Sequence, residues 1–147
     1  EPELRVQIVE QRTEFDQDPE AFSAKCKADQ DALQEKIIGA QKRLSDVTID
    51  QEFRLKISEV CSELDVDGLR GDIVSNRAAK ALAAYEGRTE VSLEDIQRVI
   101  ALCLRHRLRK DPLESIDSGF KVEKTFSTAF GVAAPEMNNG RKPAGVR

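Results

Sequence analysis

Apolar side chains recur every three to four residues along most of this chain, with charged residues between them, which is the pattern of helices that each bury one stripe. From Gln51 to Leu64 the apolar positions are Phe53, Ile57, Val60, Cys61 and Leu64, all on one helical face. The preceding Ser45–Asp50 reads as a linker in which Thr48 or Asp50 is placed to cap that helix. Gly68 reads as the residue that ends it, since glycine reaches the left-handed region without a Cβ clash. Leu69 to Glu86 is an alanine-rich helix with Val74, Ala78, Ala81, Leu82 and Tyr85 on its apolar face, closed by Gly87. Ser92-Leu93-Glu94-Asp95 is a capping box with aspartate in place of the usual glutamate. It opens a helix from Leu93 to Arg109 that buries Ile96, Val99, Ile100, Cys103, Leu104 and Leu108 and stops at Asp111-Pro112. Phe120, Val122, Phe126 and Phe130 form a weaker series that fits either a short strand or a helix returning to the bundle.

The N-terminal third is patterned differently. Pro2 to Phe15 is helical with a partial stripe of Leu4, Ile8 and Phe15, and Pro2 suits a first-turn position. Asp16-Gln17-Asp18-Pro19 stops it and starts another helix, with Asp18 as cap and Pro19 first. Pro19 to Leu44 has no internal proline and reads as one helix of about 40 Å. Its seam of Phe22, Cys26, Leu33, Ile37, Ala40 and Leu44 is narrow, with charged flanks. That suits a protruding arm for a partner subunit as well as it suits an antiparallel helical hairpin. The expectation is an all-α helical bundle: residues 1–46 a connecting helix and long arm, 47–130 the bundle, and 131–147 a disordered tail rich in Gly, Pro and Asn.

Composition narrows the function. Charged residues make up 34% of the 147 and hydrophobic ones 39%, with a net charge of −4, which argues against a general nucleic-acid binder. No apolar run approaches the roughly 20 residues of a membrane-spanning helix. The chain opens Glu1-Pro2-Glu3, without signal peptide or initiator methionine, and so reads as a fragment of something longer. Three cysteines (Cys26, Cys61, Cys103) and one histidine (His106) make neither a closed disulfide framework nor a zinc site; the pattern is intracellular, and no metal site is expected. The basic run Arg107, Arg109, Lys110 complements the negative end of a helix dipole. There is no GxxxxGK[ST], GxSxG, HExxH or GxGxxG, so no complete catalytic set is present, and the isolated chain is expected to be inactive.

One residue is oddly placed. Arg70 begins the alanine-rich helix, at the end whose free N–H groups already carry partial positive charge. Either it pairs with Asp67 or Asp72 beside it, or an anion is meant to bind there, between N–H groups and a guanidinium.

The stretches DGLRGDIVSNRAAKALAA and LRHRLRKDPLESIDSG, in this order and spacing, resemble the I subunit of magnesium chelatase, the AAA+ ATPase motor of the complex that inserts Mg²⁺ into protoporphyrin IX in chlorophyll synthesis. The likeness runs from about Glu3 to Gly131 and is nearer the plant, algal and cyanobacterial branch. It implies a C-terminal AAA+ lid whose ATPase core, with its phosphate loop and ATP-bound Mg²⁺, lies upstream. It also implies that Arg70 is the sensor-2 arginine reaching the ATP γ-phosphate, and that a homo-oligomeric ring works with D and H subunits in the chloroplast stroma or cyanobacterial cytoplasm. Plant-type members are linked to thioredoxin control, so the resemblance suggests Cys61 and Cys103 as a redox pair. The alternative for free cysteines on core-facing stripes is plain burial. Two other readings stand beside the motor lid: a helical adaptor using the Pro19–Leu44 seam without nucleotide, and a nucleic-acid-binding domain using Arg105, Arg107, Arg109 and Lys110.

Overall fold

The computed structural model describes residues 2–108 and 118–133. Six α-helices account for most of them, with no strand among the described residues. The chain divides into two compact units, Glu1–Gly39 and Ala40–Arg147.

The first unit holds α1 (Pro2–Gln17) and most of α2 (Pro19–Arg43). Asp18 breaks the helix and accepts from the Ala21 N–H at 3.0 Å, the cap expected of it. At this break Phe15 meets Phe22 edge-on, with centroids 5.8 Å apart, and Lys25 reaches back to Glu14 at 2.7 Å. Neither helix has a buried residue.

The second unit is a ring of four helices, α3 (Gln51–Glu63), α4 (Arg70–Tyr85), α5 (Leu93–Leu104) and α6 (Ser118–Phe130), each packed on the next and α6 closing on α3. The core lies inside that ring, around Ile57, Val60, Ile96, Ile100, Leu104 and Phe126. The series from Phe120 to Phe130 is a helix, with Val122, Phe126 and Phe130 buried and Phe126 stacked on Phe130 at 4.3 Å. Asp50 caps α3 through the Glu52 N–H at 2.7 Å. Both halves of the Ser92–Asp95 box are formed at the start of α5.

Four sequence expectations need correction. The stretch 45–50 is more than a linker: after a 3-10 turn (Leu44–Asp46), Val47 and Ile49 are buried, and Thr48 exchanges backbone hydrogen bonds with Thr89 (2.9 Å) and Val91 (3.0 Å). An apolar alternation of only two residues is too short to show as a strand. The residue that ends α3 is Asp65, not Gly68. Asp65 has φ 50°, and the Val66 N–H bonds the Cys61 carbonyl at 3.0 Å while the Asp65 N–H bonds that of Ser62, the paired bonds of a Schellman ending. Gly68, also left-handed at φ 63°, shapes the turn into α4 instead.

The buried face of α4 is one residue out of step with the one expected. Gly71, Ser75, Ala79 and Ala83 face inward at intervals of four, whereas Val74, Ala78, Leu82 and Tyr85 are half-buried and Ala81 is exposed. Small residues face the closest neighbours because they let the backbones approach; the larger ones fill the flanks. Finally, α5 ends at Leu104 rather than Arg109, and Arg105–Arg107 form a turn, with Leu108 half-buried beyond it. Arg109, Lys110, the stop at Asp111-Pro112 and the tail from Ala134 onward lie outside the described residues.

Candidate functional site at the start of the fourth helix

Arg70 stands at the first position of α4 and is exposed. It makes no hydrogen bond or ion pair with any described residue, so the local pairing with Asp67 or Asp72 is not formed. Asp72 accepts from the Ser58 hydroxyl on α3 instead. Leu69, the residue before the helix, supplies no side-chain cap. The helix therefore begins with uncapped N–H groups beside an unengaged guanidinium, an arrangement that attracts an anion.

The seat of this arginine is held by its neighbour. A Cβ on Gly71 would lie 2.8 Å from Val66 Cγ1, 3.1 Å from Leu104 Cδ2 and 3.2 Å from Cys61 Sγ. Glycine here lets the first turn of α4 press between the end of α3 and the end of α5. Gly71→Val is expected to cost about 1–3 kcal/mol by overpacking, read as a lower midpoint in urea unfolding; an unchanged midpoint would show that the neighbours yield freely.

The two candidate redox cysteines lie on either side of α4, Cys61 on α3 and Cys103 on α5, both buried and both free thiols here. Burial, reinforced by the Asp72 carboxylate, pushes the Cys61 thiol up to about 12. Burial also raises Cys103, against the opposing pull of Ser75 and Arg107. Cys61 and Cys103 are close enough for charge on one to disfavour charge on the other. Thiolate is the reactive form, so at pH 8 the native chain should release one fast thiol to iodoacetamide, the half-buried Cys26, and two more only on unfolding. Three fast thiols in the native chain would contradict this burial.

What the sequence reading missed is the charged cluster at the far end of α4. Asp95, 1% exposed, accepts from Arg88 Nη1 (2.7 Å) and Nη2, from the Ser92 N–H (2.8 Å) and from the Ser92 hydroxyl (2.9 Å). Glu86 holds Arg88 from the other side and also pairs with Arg98. Arg43 donates to the Ala84 carbonyl at 2.7 Å, at the end of α4 where a cation is favoured. The capping motif disclosed Asp95; nothing in the local pattern disclosed that Arg88 would be its partner.

Among the described residues no group of three or more His, Cys, Asp or Glu could hold a metal ion, and no helix is long and apolar enough to cross a membrane. Of the proposed nucleic-acid set, Arg105 is exposed and Arg107 half-buried in the turn after α5, with Arg109 and Lys110 outside the described residues.

Comparison with known proteins gives a consistent picture. The family model described as the AAA lid domain matches residues 54–125. The chain is 69% identical over 142 residues to the magnesium-chelatase subunit ChlI of Anabaena variabilis, covering 97% of this chain and 42% of that protein. It is 72% identical over 132 residues to ChlI of Synechocystis sp. (strain PCC 6803), covering 90% and 37%. To ChlI of Porphyra purpurea it is 64% identical over 132 residues, covering 90% and 37%. The chain thus spans 37–42% of the length of these three curated relatives.

Proposed function

This chain belongs to the magnesium-chelatase subunit ChlI family and carries its AAA lid, and from that premise we propose that it is the lid of an ATP-hydrolysing motor subunit whose work drives Mg²⁺ insertion into protoporphyrin IX. The observation that carries this reading is Arg70: an exposed guanidinium without a partner among the described residues, at an uncapped helix start.

The fit to ATP is partial in an informative way. No phosphate loop is present in the sequence, and among the described residues no group of three or more His, Cys, Asp or Glu could hold the Mg²⁺. What the chain offers is one arginine and a few N–H groups, suited to the outermost phosphate of a nucleotide held by another body. ATP supplies the phosphoryl chemistry when bound there. Arg70 offers a fork of donors that neutralises terminal phosphate charge and distinguishes three phosphates from two. Because Gly71 wedges the first turn of α4 between α3 and α5, a pull on Arg70 moves the four-helix unit as a body and does not bend a loop.

The same reading assigns a homo-oligomeric ring, D and H subunits as partners, and the chloroplast stroma or cyanobacterial cytoplasm as location. It keeps the Cys61–Cys103 pair as a redox device under thioredoxin: a bond between them would tie α3 to α5 across the helix that carries Arg70. Titrating nucleotide binding of the full-length subunit with the parent and Arg70→Ala proteins tests the central assignment. The parent should prefer ATP to ADP, and the variant should lose that preference; an unchanged preference would refute it.

A further inference from the structure

At the end of the bundle away from Arg70, where α3 and α5 begin and α6 ends, two extended segments lie side by side. The 16 residues of α4 put about 24 Å between this end and Arg70. Thr48 and Glu90 form a parallel bridge here, through the bonds of Thr48 to Thr89 and Val91. The bridge is paired on one side only. Ile49 is 6% exposed, yet its N–H and C=O bond no described residue. Backbone groups so placed call for a partner, and an extended chain laid alongside supplies one. Beside them runs a groove of about 420 Å³ whose lining includes Ile49, Phe53 and three acidic residues, Asp50, Glu52 and Glu90. Lys56 answers Glu52 at 3.1 Å, and Asp50 spends one oxygen on the cap of α3. The Glu90 side chain engages no described residue, so the groove keeps uncompensated negative charge.

We propose that this groove seats residues 134–147 of the same chain, extended beside Ile49, with Arg141 and Lys142 set against Asp50 and Glu90. Two observations choose this occupant. The first is where the chain goes. α6 ends at Phe130, whose ring lies 6.2 Å from that of Phe53 on the groove wall. The described residues stop three positions later, at Ala133. Lys142 follows nine residues on, a reach of about 30 Å when extended, which suffices for a groove at the same end of the bundle. The second is charge. Residues 134–147 carry Arg141, Lys142 and Arg147 against Glu136 alone, opposite in sign to the groove. The stretch from Glu136 to Lys142 also lacks proline, so every residue in it has an N–H to give to a strand edge.

The test uses the full-length subunit, mixed in equal parts from light- and heavy-nitrogen preparations. A water-soluble carbodiimide condenses a lysine amine with a carboxylate in contact with it. It should join Lys142 to Glu90 or Asp50, and mass spectrometry should find both linked peptides light or both heavy. Linked pairs of mixed label would give the groove to the tail of a second copy and overturn the proposal. So would a Lys142 that links as readily to carboxylates elsewhere, or to none. Glu90→Lys should lower the yield of the Lys142–Asp50 link by about fivefold, the upper reach of an exposed ion pair. Glu59→Lys, the same change at an exposed position on α3, should leave it as it was; equal effects of the two overturn the assignment. Hydrogen–deuterium exchange gives an independent readout. Deleting residues 134–147 should speed exchange at Ile49 by about tenfold, the scale of one net hydrogen bond, and leave Val60 in the core of α3 unchanged. No acceleration at Ile49, or the same acceleration at Val60, contradicts a seated tail.

Discussion

Replacing Arg70 with alanine in the full-length subunit is expected to lower ATP turnover by about 10²-fold or more, with the unfolding midpoint unchanged. The size follows from what an arginine contributes when it meets charge developing on a transferring phosphoryl group, which in other phosphoryl-transfer enzymes reaches about 10³–10⁵. An arginine that reaches the phosphate from outside the nucleotide-holding body should contribute less than that range. The absence of a stability effect follows from the position: Arg70 is exposed and bonded to no described residue, so alanine removes nothing the fold relies on. Steady-state hydrolysis and a thermal melt on the same preparation check both halves. A large fall in midpoint would mean that the arginine is structural. Arg70→Lys should recover little, since a point charge cannot reproduce the planar fork.

The second large effect is on stability. Asp95→Ala should destabilise the four-helix unit by about 2–4 kcal/mol, somewhat below the about 3–5 kcal/mol of breaking a fully buried pair. It removes a carboxylate that is 1% exposed, together with its bonds to Arg88 and Ser92, and so takes away the carboxylate half of the α5 capping box, while the Ser92 hydroxyl keeps the N–H of residue 95. The reduction comes from Arg88, whose side chain is 38% exposed and keeps Glu86 as a partner. For a unit of this size each kcal/mol shifts the midpoint by about 4–8 °C, so differential scanning calorimetry reads the change easily.

The dependence on pH has a definite sign. Arg88 chiefly, with the Ser92 N–H and hydroxyl, holds the Asp95 carboxyl below the usual carboxylate range in spite of its burial. A lowered folded pKa means that the contribution is complete above the unfolded value of about 3.9 and is lost as pH falls through the folded value. The gap between parent and Asp95→Ala should therefore be constant from pH 7 to 5 and should narrow below about pH 4. A gap that closes between pH 7 and 5 would assign the stability to another group.

Local signals were legible wherever a residue acts on its own backbone neighbourhood. The caps at Asp18, Asp50 and Ser92 satisfy N–H groups two or three residues away, so their spacing alone discloses them. The position of Arg70 at a helix start was legible for the same reason. What failed depended on distant neighbours. The inward face of α4 is chosen by how closely α3 and α5 approach, and the small residues that permit it score poorly in a count of apolar positions. Val47 and Ile49 are core residues because Thr89 and Val91 lie beside them, a pairing more than forty positions apart. The ending of α3 at Asp65 was hidden by Gly68, a stronger turn former three residues on that holds a different bend.

The central claim concerns where one guanidinium points, and the structure of the intact subunit with a non-hydrolysable ATP analogue tests it most directly. The expected result is Arg70 within about 2.7–3.0 Å of an oxygen of the terminal phosphate, with that contact missing when ADP is bound. Arg70 turned toward solvent, or engaged with a protein carboxylate while the terminal phosphate is satisfied by other groups, would contradict it.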